Sequence, residues 1–275
     1  MADLTSCRPD AEKPLRRTAI GVAVFLALCC GACGGPGEGP VVIFLDGAGW
    51  YSGSGSVRQG LRKAGYRGQF DTFSWSAFLG PAHDHLITAG LHSVAGRLAG
   101  RIQSIRENDP KGSIHLIGLS AGNALILSAL EMLPADVHVD NVVLLSPTIS
   151  ARHDLRIAMK RVNRHLYATS SPHDAIITKL LVNADGLGGP AAGDTGFLMP
   201  TDGNIETIEA YRRVFHLPWK PSYAGFGWNG SHTSVTNSDF IAAVIAPRIL
   251  SHDPYPLDRS LADRARRSPP PETTE

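Results

Sequence analysis

Residues 113–133 read SIHLIGLSAGNALILSALEML. An apolar run of strand type stops at Gly118-Leu119-Ser120-Ala121-Gly122, and a second apolar run of helical length begins directly after it. Few folds accept two such segments with no linker between them. The strand is apolar throughout and needs cover on both faces; the helix is apolar on nearly all sides and belongs in an interior. A layered α/β stack satisfies both demands. The turn that joins them then holds a bare hydroxyl between two glycines.

The rest of the chain repeats the alternation. VVIFLD (41–46), GQFDTFSW (68–75), IHLIGL (114–119), DNVVLLS (140–146) and HLYATS (165–170) have strand character. Helical spacing appears in 57–65, 86–108, 123–133, 152–162 and 175–183. Such alternation predicts βα units and a mostly parallel central sheet with helices on both faces. After residue 184 the order loosens. DGLGGPAAGDTGF (185–197) is a glycine-rich loop, 204–216 has helical spacing, SYAGFGW (222–228) reads as a last strand, and 235–250 as a closing helix. The stretch 253–275, charged and rich in proline, is expected to stay outside the core as a disordered tail with at most a short helical piece. One domain over 41–252 follows.

Charge narrows the partners. Lys and Arg total 26 against 25 Asp and Glu, a formal charge of +1. No basic stripe interleaved with aromatics is present, so the reading contains no nucleic-acid partner. All four cysteines, Cys7, Cys29, Cys30 and Cys33, fall before the first strand. The domain therefore has neither a disulfide framework nor a cysteine metal site.

The N-terminus has the layout of an export signal. Lys13, Arg16 and Arg17 precede the apolar segment TAIGVAVFLAL (18–28), and small residues follow. A membrane-spanning helix takes about 20 apolar residues, which this segment does not supply. Cys30-Gly31-Ala32-Cys33 resembles the cleavage site of a bacterial lipoprotein, although an aliphatic residue is usual where Cys30 stands. The resemblance implies a signal peptide over 1–32, lipid on Cys33, a flexible tether over 33–40 and a place at the periplasmic face or cell envelope. A plain cleaved secretory signal is a second reading of the same residues, and an uncleaved anchor or a start-site artefact a third.

Gly118-Leu119-Ser120-Ala121-Gly122 fits the G-x-S-x-G nucleophile elbow. A strand-to-helix turn that sharp forces the serine into a strained backbone, and side chains two residues either side would collide with it. The flanking strand and buried helix supply the context that the bare pentapeptide lacks. The alternative is an ordinary βα turn with a serine cap. With its elbow in that context, the chain resembles the α/β-hydrolase superfamily over residues 41–250. The resemblance implies a serine esterase or lipase-like enzyme whose triad runs serine, acid, histidine along the chain. It places the acid at Asp174, after the strand 165–170, with Asp194 and Asp202 in reserve. Asp174 also stands where a helix N-cap would. The base falls at His232 in the turn GWNGSHTSV (227–235), while His216 and His252 read as surface or packing residues.

A serine hydrolase also needs oxyanion donors. The N–H of Ala121 is one. The other is expected in LDGAGWY (45–51), where Asp46-Gly47-Ala48-Gly49 resembles the family's His-Gly-x-Gly loop with Asp in place of His. Ala48 is the first choice and Gly47 the second. Trp50 and Tyr51 are candidates for lining a substrate pocket, or for plain core or rim aromatics. His83-Asp84-His85 has no second cluster at metal-site spacing, and no cofactor or metal enters the reading. The implied substrate is a small-molecule or lipid-like carboxylic ester, with thioester or amide as variants. The segment 184–222 is where a lid would insert. A non-catalytic envelope scaffold on the same fold is the rival reading.

Overall fold

Among the described residues, a six-stranded sheet carries the architecture. The computed structural model describes residues 39–48, 51–75, 84–179, 185–254 and 258–265, with backbone alone for 84–90 and 265. The elements run β1 (Val41–Leu45), α1 (Ser54–Lys63), β2 (Gln69–Thr72), α2 (Asp84–Asn108), β3 (Ile114–Leu119), α3 (Gly122–Met132) and β4 (Val139–Leu145). Then come α4 (Arg156–Met159), β5 (Val162–Ser170), α5 (Ala192–Thr195), α6 (Ile205–Tyr211) and β6 (Val214–Pro218). α7 (Ser238–Phe240), a π-helical turn (Ile241–Ile245), α8 (Ala246–Leu250) and α9 (Leu261–Ala265) complete the series.

The strands form one sheet in the order β2-β1-β3-β4-β5-β6, with every pairing parallel. This is the α/β class that the hydropathy alternation predicts. Successive residues of each central strand face opposite ways, so one apolar run fills two cores. Ile43, Leu45, Leu116, Val142, Leu144 and Leu166 pack on one side with α2 and α3. Val42, Phe44, Ile117, Val143, Leu145 and Tyr167 pack on the other with α1 and the C-terminal helices. Burying one such side chain contributes roughly 1.5–3 kcal/mol.

The order reverses at β1: the chain goes outward to β2, then returns to pair β3 on the opposite side. Loops leaving the carboxyl ends of β1 and β3 therefore diverge and leave a crevice, the place where open α/β sheets bind ligands. Ser120 follows β3 and Gly47 follows β1, so both stand at that crevice.

Three features differ from the sequence expectation. The stretch 204–216 is not one helix: α6 ends at Tyr211, and Val214–Pro218 forms the edge strand β6 beside β5. SYAGFGW is not a strand but a 3₁₀ turn over Pro221–Phe226, begun by Pro221 and ended by Gly227 at φ 86°. The C-terminal stretch is not wholly outside the core. Leu261 and Ala262 of α9 are buried, Ser260 bridges Phe215 of β6, and Arg248 pairs with Asp258 at 2.7 Å. An edge strand presents unpaired backbone groups, and this returning segment covers part of β6.

Smaller shifts have local causes. The predicted helix 152–162 shrinks to the single turn α4, because β5 already starts at Val162. Of 175–183, the described part is a 3₁₀ turn at Ile177–Lys179. The closing helix holds its course but passes through the π turn just before Pro247, whose ring and missing N–H disturb regular α bonding. The segment 184–222 contributes α5, α6 and β6 to the domain itself.

Candidate active site

Ser120 is one of two non-glycine residues with positive φ among the described residues, at 54°. The left-handed region costs a side chain of order 1–3 kcal/mol, so the surroundings must hold it there. They do so through β4. The Leu145 carbonyl accepts the N–H of Ser120 at 3.0 Å and the side-chain amide of Asn123 at 2.9 Å. Asn123 is fully buried on a helix whose other buried residues are apolar or glycine, and its polarity there was the available signal for this strap, which the sequence reading missed.

The two motif glycines are explained by close approach. A Cβ on Gly118 would lie 2.4 Å from Asn123 Oδ1; one on Gly122 would lie 2.6 Å from the Asp46 carbonyl oxygen. Gly122 thus lets the end of β1 lie directly on the start of α3. A Cβ on Gly47 would come within 2.9 Å of Ser120 Cβ and 3.5 Å of its Oγ. Of the two donor candidates after β1, Gly47 is therefore packed against the serine, while Ala48 is exposed. Among the described residues, the N–H groups of Gly47, Ala48 and Ala121 take no part in backbone hydrogen bonding.

Asp46 has a different employment from an oxyanion neighbour. Its Oδ1 accepts the N–H of Gly53 at 2.6 Å and its Oδ2 the hydroxyl of Ser52 at 2.7 Å. The carboxylate thus closes the loop that leads into α1.

Asp174 and His232 meet. Asp174 is fully buried, and its Oδ2 lies 2.7 Å from Nδ1 of His232, which is 8% exposed. Opposite an ionised carboxylate, which only accepts, a neutral His232 carries its proton on Nδ1 and has the Nε2 lone pair free. The other oxygen, Oδ1, accepts the N–H groups of Ile176 and Ile177 at 3.2 and 3.1 Å. The catalytic and the capping readings of Asp174 are therefore compatible, one oxygen serving each.

The His232 turn is knitted internally. Ser234 Oγ donates to Asn229 Oδ1 at 2.7 Å, and the N–H of Ser231 donates to the same oxygen at 3.0 Å. Trp228, wholly buried, stacks on Tyr223 and anchors the turn in the core.

The reserve candidates serve elsewhere. Asp202 pairs with Arg156 at 3.0 Å and Asp194 sits in the first turn of α5. His216 stands in β6, not in a helix as its spacing implied, and its Nε2 accepts the N–H of Phe197 at 2.7 Å. Burial, helped by nearby Arg264, pushes its pKa down to about 4. His252 is exposed. Tyr51 is 42% exposed, with its hydroxyl bonded into the His232 loop. Gly49, Trp50, His83 and Cys33 lie outside the described residues, as do the side chains of Asp84 and His85.

No protein-family model matches the chain, and no curated protein does. Among solved structures, it is similar to a cutinase-like protein from Cryptococcus sp., at 14% identity and a TM-score of 0.38, covering 77% of this chain and 93% of that one. It is also similar to the ferulic-acid-bound Est1E of Butyrivibrio proteoclasticus, at 12% identity and a TM-score of 0.43, covering 79% and 90%. A third likeness is to the phospholipase PlaB of Legionella pneumophila, at 15% identity and a TM-score of 0.28, covering 72% and 45%. Likenesses this distant assign no residue of this chain a role.

Proposed function

We propose that the chain is a serine hydrolase that cleaves a carboxylic ester through an acyl-enzyme on Ser120. The observation that carries this reading is the buried Asp174–His232 hydrogen bond, which leaves Nε2 as a base, in a sheet whose carboxyl edge also carries a serine at φ 54°. The buried Asn123 and the Leu145 carbonyl support this strained turn.

In this mechanism His232 Nε2 takes the hydroxyl proton as Ser120 Oγ bonds to the acyl carbon. The carbonyl π pair moves to oxygen, and the oxyanion is met by the N–H of Ala121 and that of Gly47 or Ala48. Collapse breaks the bond to the alcohol, which leaves with the proton from His232. Water repeats the sequence on the acyl-enzyme and returns the free acid. Asp174 stays ionised, orients the ring and stabilises the imidazolium. Each oxyanion donor contributes about 2.7–4 kcal/mol in comparable sites. Thioesters and amides pass through the same intermediates.

The test is turnover of p-nitrophenyl butyrate together with labelling by a fluorophosphonate. Wild type is expected to do both and S120A neither, with unchanged circular dichroism. Absence of both in the wild type would leave the chain as a scaffold on a hydrolase-like fold.

We also propose export with lipid on Cys33, supported by the basic, apolar and small-residue order of residues 13–33. Palmitate incorporation that is lost in C33S, in a bacterial host, checks it; incorporation unaffected by C33S would refute it.

A further inference from the structure

The segment 46–53 touches the nucleophile at one end and the base loop at the other. At its start Gly47 lies against Ser120, as described above, and Trp75 Nε1 donates to the Asp46 carbonyl at 2.7 Å. The Asp46 carboxylate closes on Ser52 and Gly53, so the segment is folded back and pinned across its own base. Between the pinned ends stands Tyr51, whose hydroxyl reaches the loop after β6.

Thr236 Oγ1 lies 2.8 Å from the Thr233 carbonyl oxygen, to which its hydroxyl can donate. In the 2.5 Å contact between Tyr51 Oη and Thr236 Oγ1 either hydroxyl can donate, and the arrangement with Tyr51 as donor uses the shorter of the bonds to Thr233. In that arrangement a relay runs Tyr51 → Thr236 → Thr233, and Thr233 directly follows His232. The Tyr51 hydroxyl also lies 3.3 Å from the Thr233 carbonyl. Thr236 is fully buried, and a Cβ on Gly53 would come within 2.8 Å of its Cγ2, so the two segments are in contact with no room for a side chain. A tyrosine that served only to bury its ring would not sit 42% exposed with its hydroxyl turned inward.

What the base needs explains the device. A general base works within about 2.6–3.2 Å of the proton that it takes. Asp174 holds His232 by one nitrogen, and a single hydrogen bond leaves the ring free to tilt about it. The backbone that bears the histidine belongs to a loop, and loops are the mobile part of a fold. We propose that Tyr51 is a positioning residue for His232: through Thr236 and Thr233 it ties the base loop to the same segment that packs on Ser120, and so fixes base against nucleophile. The inference rests on the serine-hydrolase reading for its kinetic consequences, but the mechanical link does not depend on that reading.

The experiment compares wild type, Y51F, T236V, T236S and the double variant Y51F/T236V in the full chain, with p-nitrophenyl butyrate as substrate. Y51F and T236V are each expected to lower kcat about tenfold, since misplacement by about 1 Å costs up to about 100-fold, with KM within twofold. The double variant should be no slower than the slower single one, because one relay is cut in two places. T236S, which keeps the hydroxyl, should restore kcat. In parallel, the His232 imidazole is titrated by NMR, assigned by its absence in H232N, and Y51F and T236V should displace it together while T236S does not. A rise in KM at constant kcat would make Tyr51 a wall of the substrate pocket and overturn the inference, as would fully additive single effects. If S120A proves as active as wild type, the hydrolase reading falls separately. The NMR titration then decides alone: moved together in Y51F and T236V it sustains the link, unmoved it removes it.

Discussion

Asp174 divides its carboxylate between His232 Nδ1, 2.7 Å from Oδ2, and the backbone N–H groups of Ile176 and Ile177, which bind Oδ1. This division makes the substitution D174N informative. An asparagine has one acceptor and one donor end, and the two backbone N–H groups require the acceptor. The amide nitrogen must then face His232, which accepts at Nδ1 and carries its proton on Nε2, the wrong tautomer for a base. D174N is therefore expected to keep its melting temperature within a few degrees and to lose ~10³–10⁴ in kcat. D174A gives up the turn as well and should lose about 1 kcal/mol of stability in addition. Thermal unfolding and steady-state kinetics on the pair separate the two roles; equal kcat in D174N and wild type would remove Asp174 from the mechanism.

The strain at Ser120 gives a second prediction. At φ 54° an alanine suffers the same clash as the serine, whereas glycine does not. S120G should therefore unfold about 1 kcal/mol later than S120A in urea, although both are inactive. Wild-type stability should resemble S120A. A glycine variant less stable than S120A would show that the left-handed turn is not strained.

The sheet was legible because buried parallel strands leave a simple mark, a short run rich in apolar residues, which β1, β3, β4 and β5 show, while β2 at the edge shows the apolar/polar alternation of a half-buried strand. β6 shows neither. Its residues Val214 and Phe215 continue the helical spacing of Ile205, Ile208 and Tyr211, so the amphipathic count runs past the true end at Tyr211. The false strand 222–228 arose from aromatics at short spacing. Tyr223 and Trp228 are indeed buried, but as a stacked pair at 5.6 Å held by a 3₁₀ turn. The expectation for His232 is unaffected by this difference, because it follows the last strand under either assignment. The three residues proposed for catalysis were chosen by their order along the chain. What order could not show was the cross-bracing: Asn123 on the Leu145 carbonyl, Asp46 on Gly53, and Tyr51 on Thr236 join residues that only the fold brings together.

His153 supplies a test of the loop that follows β4. Its Nδ1 lies 3.0 Å from Asp185 Oδ2 and its Nε2 3.4 Å from Glu131 Oε1, and Asp185 also accepts the N–H of Ser150. The imidazole thus joins the end of α3, the loop after β4 and the start of the 185–191 segment. Burial alone would lower its pKa, but the hydrogen bonds and charges of Asp185 and Glu131 outweigh burial and raise it to about 9. A histidine whose pKa is higher folded than unfolded stabilises the fold while it is protonated. That contribution is complete below the ordinary value of about 6.5 and disappears as the pH rises through about 9. H153Q keeps a donor but no charge. It should be less stable than wild type by about 1–2 kcal/mol at pH 6, a figure reduced for the partial exposure of the group, and the gap should close by pH 10. Urea unfolding at pH 6, 8 and 10 measures it, and a gap of constant size across that range would mean that His153 acts by packing and not by charge.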